Sequence, residues 1–177
     1  MNRAHLNLIS QVVLAAGQAN LPVWLGGGWA IDARLGRITR AHDDIDLTFP
    51  DERRNEFEAL IIGLQGYVTQ ELDYGFLAEV QGVLLDCEPA RWNGVAYEID
   101  DAPAGSCPEQ AEGCLEGLRL WCNSWEAILW DYFYYADEIP PSEWPAKHKH
   151  SFELARRALG NEAIDRLRAA FDLRQRG

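Results

Sequence analysis

The sequence predicts an α+β fold: a mixed sheet with flanking helices, followed by a small, mostly helical C-terminal domain. Three observations predict it. Residues 24 to 49, WLGGGWAIDARLGRITRAHDDIDLTF, read as strand, glycine turn, short helix, loop and strand. Three strand-like runs follow between Tyr67 and Glu88, separated by short turn signals. From Ser124 to Arg174 the apolar residues recur at helical spacing instead. A change of composition near Trp92 sets the expected division, with one domain over residues 1–92 and a second over 93–177.

Each element has its own justification. Leu6, Ile9, Val12, Val13 and Ala16 share one helical face, which predicts an amphipathic helix over residues 3–19. Asn20 and Pro22 close it and lead into a short buried strand, Val23 to Leu25. The next helix starts at the glycine turn, offers Trp29, Ala30 and Ala33 to the core, and stops at Gly36. Residues 37 to 43 are a loop. In the strand that follows, Ile45, Leu47 and Phe49 alternate with Asp44 and Asp46. Side chains two apart on a strand point the same way. The two carboxylates therefore share one face, and Asp43 is turned away from it.

Pro50 opens a helix whose early acids, Asp51 and Glu52, suit the helix dipole. Phe57, Leu60, Ile61 and Leu64 supply its apolar side. Strands are predicted over 67–72, 76–80 and 83–88, with turns at Asp73-Tyr74-Gly75 and Gln81-Gly82. On the last strand Leu84, Asp86 and Glu88 share a face, so a mixed sheet could bring Asp86 beside Asp44 and Asp46. Residues 89 to 117 are Gly/Pro-rich and read as irregular, and 118–122 as a short strand. Asn123 or Ser124 caps a helix that reaches about Asp137, and Pro140 and Pro141 stop it. Its core spacing is Trp125, Ile128, Leu129, Tyr132 and Phe133, with Asp131, Tyr134, Tyr135 and Glu138 on the other side. Helices over 142–159 and 162–174 complete the chain, the last with Ile164, Leu167 and Phe171 as its stripe.

Composition narrows the function. An apolar share of 47% and a charged share of 25% in 177 residues are those of a soluble globular chain. No apolar run approaches the roughly 18 residues of a membrane span. His5, Asn7, Ser10 and Gln11 interrupt the N-terminal segment, so it reads as a helix and not a signal peptide. A cytoplasmic location without a membrane partner is expected. The net charge of −12 argues against a nucleic-acid substrate, which selects a basic face. It suits a polycationic small molecule instead. Cys87, Cys107, Cys114 and Cys122 lack zinc-type spacing and read as reduced, structural thiols.

Asp44 and Asp46 carry the chemistry. Neighbouring carboxylates repel unless a cation lies between them, and hard divalent cations bridge such oxygens to substrate phosphates. Gly26, Gly27 and Gly28 bring backbone N–H groups close to an anion at a helix start. Arg40 and His42 stand in the loop just before the acidic strand, where cations for a triphosphate are needed.

This unit resembles the nucleotidyltransferase superfamily that includes DNA polymerase β. The matching residues are Leu25-Gly26-Gly27-Gly28 followed by Asp44-Ile45-Asp46. The longer runs LPVWLGGGWAIDARLGRITRAHDDIDLTFP, LDYGFLAE, LLDCEPA and CNSWEAILWDYFYYADEIPP resemble the aminoglycoside 2''-O-nucleotidyltransferases. The resemblance covers most of the chain and is thinner between Trp92 and Leu120.

The resemblance implies a reaction and a set of roles. A hydroxyl of a 4,6-disubstituted aminoglycoside such as kanamycin, gentamicin or tobramycin attacks the α-phosphorus of ATP, and pyrophosphate leaves. The expected hydroxyl is 2''. Asp44, Asp46 and Asp86 hold Mg²⁺, two ions being expected, and Asp86 also acts as general base. Gly27, Gly28, Arg40, His42 and Lys147 bind the nucleotide. Lys147 lies in PAKHKH, which resembles the distal basic segment of that family, while His148 and His150 are left as surface residues. Asp131 leads the candidates for the aminated sugar, joined by Tyr134, Tyr135, Glu88, Tyr74 and Asp100, because carboxylates pair with ammonium groups and aromatic faces accept cations. A monomer is expected. Two other readings keep the fold: an enzyme acting on another small acceptor such as a lincosamide, and a non-catalytic toxin–antitoxin component.

Overall fold

The structure is a computed structural model that describes residues 2–110 and 112–175. It contains two compact units, Met1–Asn123 and Ser124–Gly177. The first begins with α1 (Asn2–Gln18), β1 (Trp24–Leu25), α2 (Gly27–Leu35) and β2 (Asp44–Pro50). A single 3-10 turn, Asp51–Arg53, then runs into α3 (Arg54–Gly63). Five further strands are β3 (Gly66–Glu71), β4 (Phe76–Val80), β5 (Val83–Trp92), β6 (Tyr97–Ile99) and β7 (Gly113–Leu115), and β8 (Leu118–Leu120) closes a hairpin with β7.

The main sheet has the order β1-β2-β5-β4-β3, with β6 pairing the outer part of β5. β2 and β5 run parallel while the other pairs are antiparallel, which makes the sheet mixed as the sequence predicts. One face carries the core. Ile45, Leu47 and Phe49 of β2 and Leu85 and Cys87 of β5 are buried there. Phe49 stacks on Phe57 of α3 at 4.5 Å between ring centres, and Phe76 of β4 meets both at a tilt. Leu8, Ile9 and Val12 of α1 are equally buried. Full burial of such side chains is worth about 1.5–3 kcal/mol each, so this face fixes the strand parity. The opposite face of β2 and β5 is thereby committed to Asp44, Asp46, Asp86 and Glu88.

Residues 93 to 122 depart from the expected division. Composition suggested a boundary near Trp92, but the first unit continues to Asn123. β5 itself runs to Trp92, β6 adds to its edge, and the β7–β8 hairpin packs on α2. Ala90, Ile99 and Cys107 close around Trp24 in one buried cluster. The glycines and prolines of this stretch mark loops within a unit, not a linker between units.

The second unit consists of α4 (Trp125–Glu138), a 3-10 turn Pro141–Glu143, α5 (Ala146–Leu159) and α6 (Asn161–Arg174). Ser124 is the N-cap of α4, its hydroxyl accepting from the Ala127 N–H at 3.2 Å. Trp130 is buried in α4, whereas Trp125, expected in the core, is only half-buried. Phe171 of α6 meets Trp130, Phe133 and Tyr134 edge-on. No helix among the described residues is long and apolar enough to cross a membrane.

Candidate active site

The site is built on the parallel pair β2–β5. Their register sets Asp44 beside Leu84, Asp46 beside Asp86 and Thr48 beside Glu88. Neighbouring strands lie about 4.8 Å apart, so the Asp46 and Asp86 carboxylates start from adjacent backbones on one face. Asp44 precedes Asp46 on that face, and its negative charge reaches Asp86. Burial, first, and then the Asp44 charge push the Asp86 carboxyl above the ordinary carboxylate range, while a hydrogen bond from Tyr74 pulls it down. That bond runs from the Tyr74 hydroxyl to both Asp86 oxygens, at 3.0 and 3.3 Å. The Tyr74 phenol is in turn pushed up by burial and by the charges of Asp86, Glu88 and Asp46. Tyr74, Asp46, Asp86 and Glu88 therefore belong to one acidic face.

The glycine turn closes over this face. The Gly26 N–H donates to the Asp46 carbonyl at 2.9 Å, tying the turn to β2. Gly27 has a φ of +48°, and a Cβ there would lie 2.0 Å from Asp46 Oδ2. Only a residue without a side chain lets the backbone approach that carboxylate. A Cβ on Gly28 would lie 2.3 Å from Nη2 of Arg40, so the guanidinium rests on the first turn of α2. Carboxylates, helix start and cation are thus packed within one strand–turn–helix unit.

The donors suit a hard divalent ion. They are all carboxylate oxygens, and β-sheet register rather than a flexible loop sets their spacing. Among the described residues, no three His, Cys, Asp or Glu side chains are gathered into a ready cage for an ion. Mg²⁺ rarely uses such a cage; it is held by one or two carboxylates together with substrate phosphates and water.

Two expected residues have protein partners of their own. His42 is 1% exposed, stacked on Trp29 at 4.1 Å and bonded through Nε2 to Asp32 at 2.7 Å. Its Nδ1 lies 2.9 Å from where a Gly28 Cβ would be, so the ring stands beside the start of α2. Asp100 pairs with Arg91 at 2.6 Å, and Arg91 also holds Asp51. Arg91 has the opposite strand parity to Asp86 and Glu88, so Asp100 is removed from the acidic face. Four more candidates belong to the second unit. Asp131 is exposed on α4, Tyr134 packs on Phe171, and Tyr135 packs on Trp144 and His148. Lys147 is exposed in the first turn of α5.

Sequence reasoning missed two polar residues. Asp32 is buried inside α2, where helical spacing alone reads as packing. Asn123, considered only as a cap, accepts from the Thr48 hydroxyl at 3.1 Å and lies 3.0 Å from where a Gly26 Cβ would be. An acid flanked by Trp29, Ala30, Ile31 and Ala33 was the available signal for Asp32.

The sequence model of the aminoglycoside-2''-adenylyltransferase family matches residues 8–171. The chain belongs to this family. A 2''-aminoglycoside nucleotidyltransferase of Klebsiella pneumoniae is 63% identical over 171 residues, 97% of each chain. One of Escherichia coli is 62% identical over the same share. The crystal structure of ANT(2'')-Ia in complex with adenylyl-2''-tobramycin superposes with a TM-score of 0.96 at 62% identity, covering 97% of this chain and 99% of that one. A lincomycin-bound lincosamide adenylyltransferase, LnuA, shares the fold alone: TM-score 0.63 at 14% identity, over 83% of this chain and 93% of that one. The nucleotidyltransferase fold and the family expected from the glycine turn and the Asp-x-Asp strand are therefore borne out, as is an enzyme of the aminoglycoside 2''-nucleotidyltransferase kind. A nucleoside triphosphate substrate and a divalent metal follow in general terms from that membership.

Proposed function

We propose that this chain transfers AMP from Mg·ATP to the 2''-hydroxyl of 4,6-disubstituted aminoglycosides, releasing pyrophosphate and inactivating the drug. The observation that supports it most is the register of Asp46 with Asp86, below a glycine turn, in a member of this family. Asp44, Asp46 and Asp86 would hold two divalent ions. When bound, these ions would lower the pKa of the incoming hydroxyl and neutralise the phosphate oxygens.

The chain's own residues do the rest. Asp86 accepts the proton of the attacking hydroxyl; before any ion binds, burial holds its carboxyl above the ordinary range. Tyr74 keeps the Asp86 carboxylate oriented. The α2 start and Arg40 bind the triphosphate. Glu88 lies one residue pair along from Asp86 and takes an ammonium group of the acceptor. Asp131, Tyr134 and Tyr135 are further candidates for the aminated sugar, and Lys147 for the nucleotide, on the family resemblance. The net charge of −12 concentrates a polycationic acceptor and disfavours nucleic acid. The protein would act as a monomer in the cytoplasm, where ATP is plentiful.

The test is direct. Incubate the protein with Mg·ATP and separate panels of aminoglycosides and lincosamides, following pyrophosphate release and acceptor mass. Kanamycin, gentamicin and tobramycin should each gain one AMP, at the 2'' oxygen by NMR. An adduct on lincomycin alone, or no pyrophosphate with any aminoglycoside, would overturn the reading.

A further inference from the structure

We infer that buried Asp32 is a positioning residue for nucleotide binding: it clamps the 39–42 loop so that the Arg40 guanidinium is pinned against the head of α2. The inference rests on reading Arg40 as a triphosphate contact. Asp32 is 1% exposed, a costly place for a carboxylate unless several donors satisfy it. Three donors do. Its Oδ1 accepts from the Thr39 hydroxyl at 2.5 Å, and its Oδ2 from the Thr39 N–H at 3.0 Å. The third is Nε2 of His42, 2.7 Å from Oδ2. These partners stand on either side of Arg40, one residue before it and two after.

A second clamp grips the same loop from α1. Asn2 Nδ2 donates to the Arg40 carbonyl at 2.8 Å, and the His42 N–H donates to Asn2 Oδ1 at 3.1 Å. The His42 ring is held flat against Trp29, whose indole N–H donates to Nδ1 of buried His5 at 3.3 Å. With its backbone held at Thr39, Arg40 and His42, the loop leaves Arg40 few ways to point. Its Nη1 donates to the Ala41 carbonyl at 2.9 Å, and its Nη2 lies where a Gly28 side chain would otherwise be. Anion binding at a helix start gains from a cation already in place, because less side-chain entropy is lost when the phosphate arrives.

A purely structural role for Asp32 and a positioning role differ in what a double-variant comparison reads. Steady-state kinetics of the full chain would compare Arg40→Ala, Asp32→Asn and the double variant, with folding checked by thermal unfolding. Arg40→Ala should raise the KM for ATP about tenfold, and Asp32→Asn nearly as much, each with kcat and the acceptor KM within about threefold. The double variant should be no worse for ATP than Arg40→Ala alone. Should Asp32→Asn fail to fold, Thr39→Val removes one donor from the same carboxylate and should raise the ATP KM, while Thr39→Ser restores it. A normal ATP KM in folded Asp32→Asn or in Thr39→Val, or multiplying effects in the double variant, would overturn the inference and leave the Arg40 reading standing. An unchanged ATP KM in Arg40→Ala would overturn that reading, and the inference with it.

Discussion

Two groups of acids lie on the first unit, and they behave differently. At the outer end of β5, Asp51 and Asp100 are matched by Arg91. In the middle of the same strand, Asp86 stands in register with another carboxylate, Asp46, and accepts a hydrogen bond from the neutral hydroxyl of Tyr74. The first group is an exposed ion network of small energetic weight. The second sets carboxylates in register at a partly buried place, a donor set that suits a hard divalent cation. What separates a structural acid from a reactive one here is the partner, not the residue type.

Breaking the second group should have the largest effect. Asp86→Asn keeps the size of the side chain and the Tyr74 contact but removes the proposed base. Turnover should fall about 10³-fold, the scale of a lost general base, with thermal unfolding and ATP binding by calorimetry largely retained. Near-normal turnover would exclude Asp86 as the base. Gly27→Ala comes next. Its methyl would meet Asp46 Oδ2 at 2.0 Å from a backbone at φ +48°, so carboxylate and turn must move apart. A loss of about 10² in kcat/KM for ATP is expected, since misplacement of about 1 Å costs that much.

Tyr74→Phe sharpens the contrast through pH. The Tyr74 hydrogen bond lowers the Asp86 pKa, against the burial that raises it. Removing the hydroxyl should therefore raise that pKa further. A general base acts in its ionised form, so with Asp86 in that role the acid limb of kcat/KM should move to higher pH, and a ¹³C titration of the Asp86 carboxyl without metal should move the same way. A shift to lower pH would contradict the assigned bond. The smallest effect belongs to Asp100→Asn. Losing an exposed partner of Arg91 should leave kcat/KM for every acceptor within about twofold and stability within about 1 kcal/mol.

The sequence carried the acidic strand well because strand parity is a local rule. Ile45, Leu47 and Phe49 can be buried only if Asp44 and Asp46 face the other way, and the same logic put Asp86 and Glu88 on one side of β5. The partners of Asp100 and His42 were not legible, because an ion pair or hydrogen bond depends on tertiary contacts: Arg91 for Asp100, Asp32 for His42. The division near Trp92 failed because β6 and the β7–β8 hairpin are too short for periodicity to reveal. Trp125 and Trp130 of α4 differ by five residues, and only packing against α6 decides which is buried.

The central claim is that the carboxylates of β2 and β5 share a divalent cation with the triphosphate. Paramagnetic Mn²⁺, added in substoichiometric amounts with a non-hydrolysable ATP analogue, tests it most directly by NMR. Selective broadening of the amides around Asp44, Asp46 and Asp86 is expected, abolished in Asp46→Asn. Broadening centred on Asp51 and Asp100 instead, or unchanged by Asp46→Asn, would contradict it.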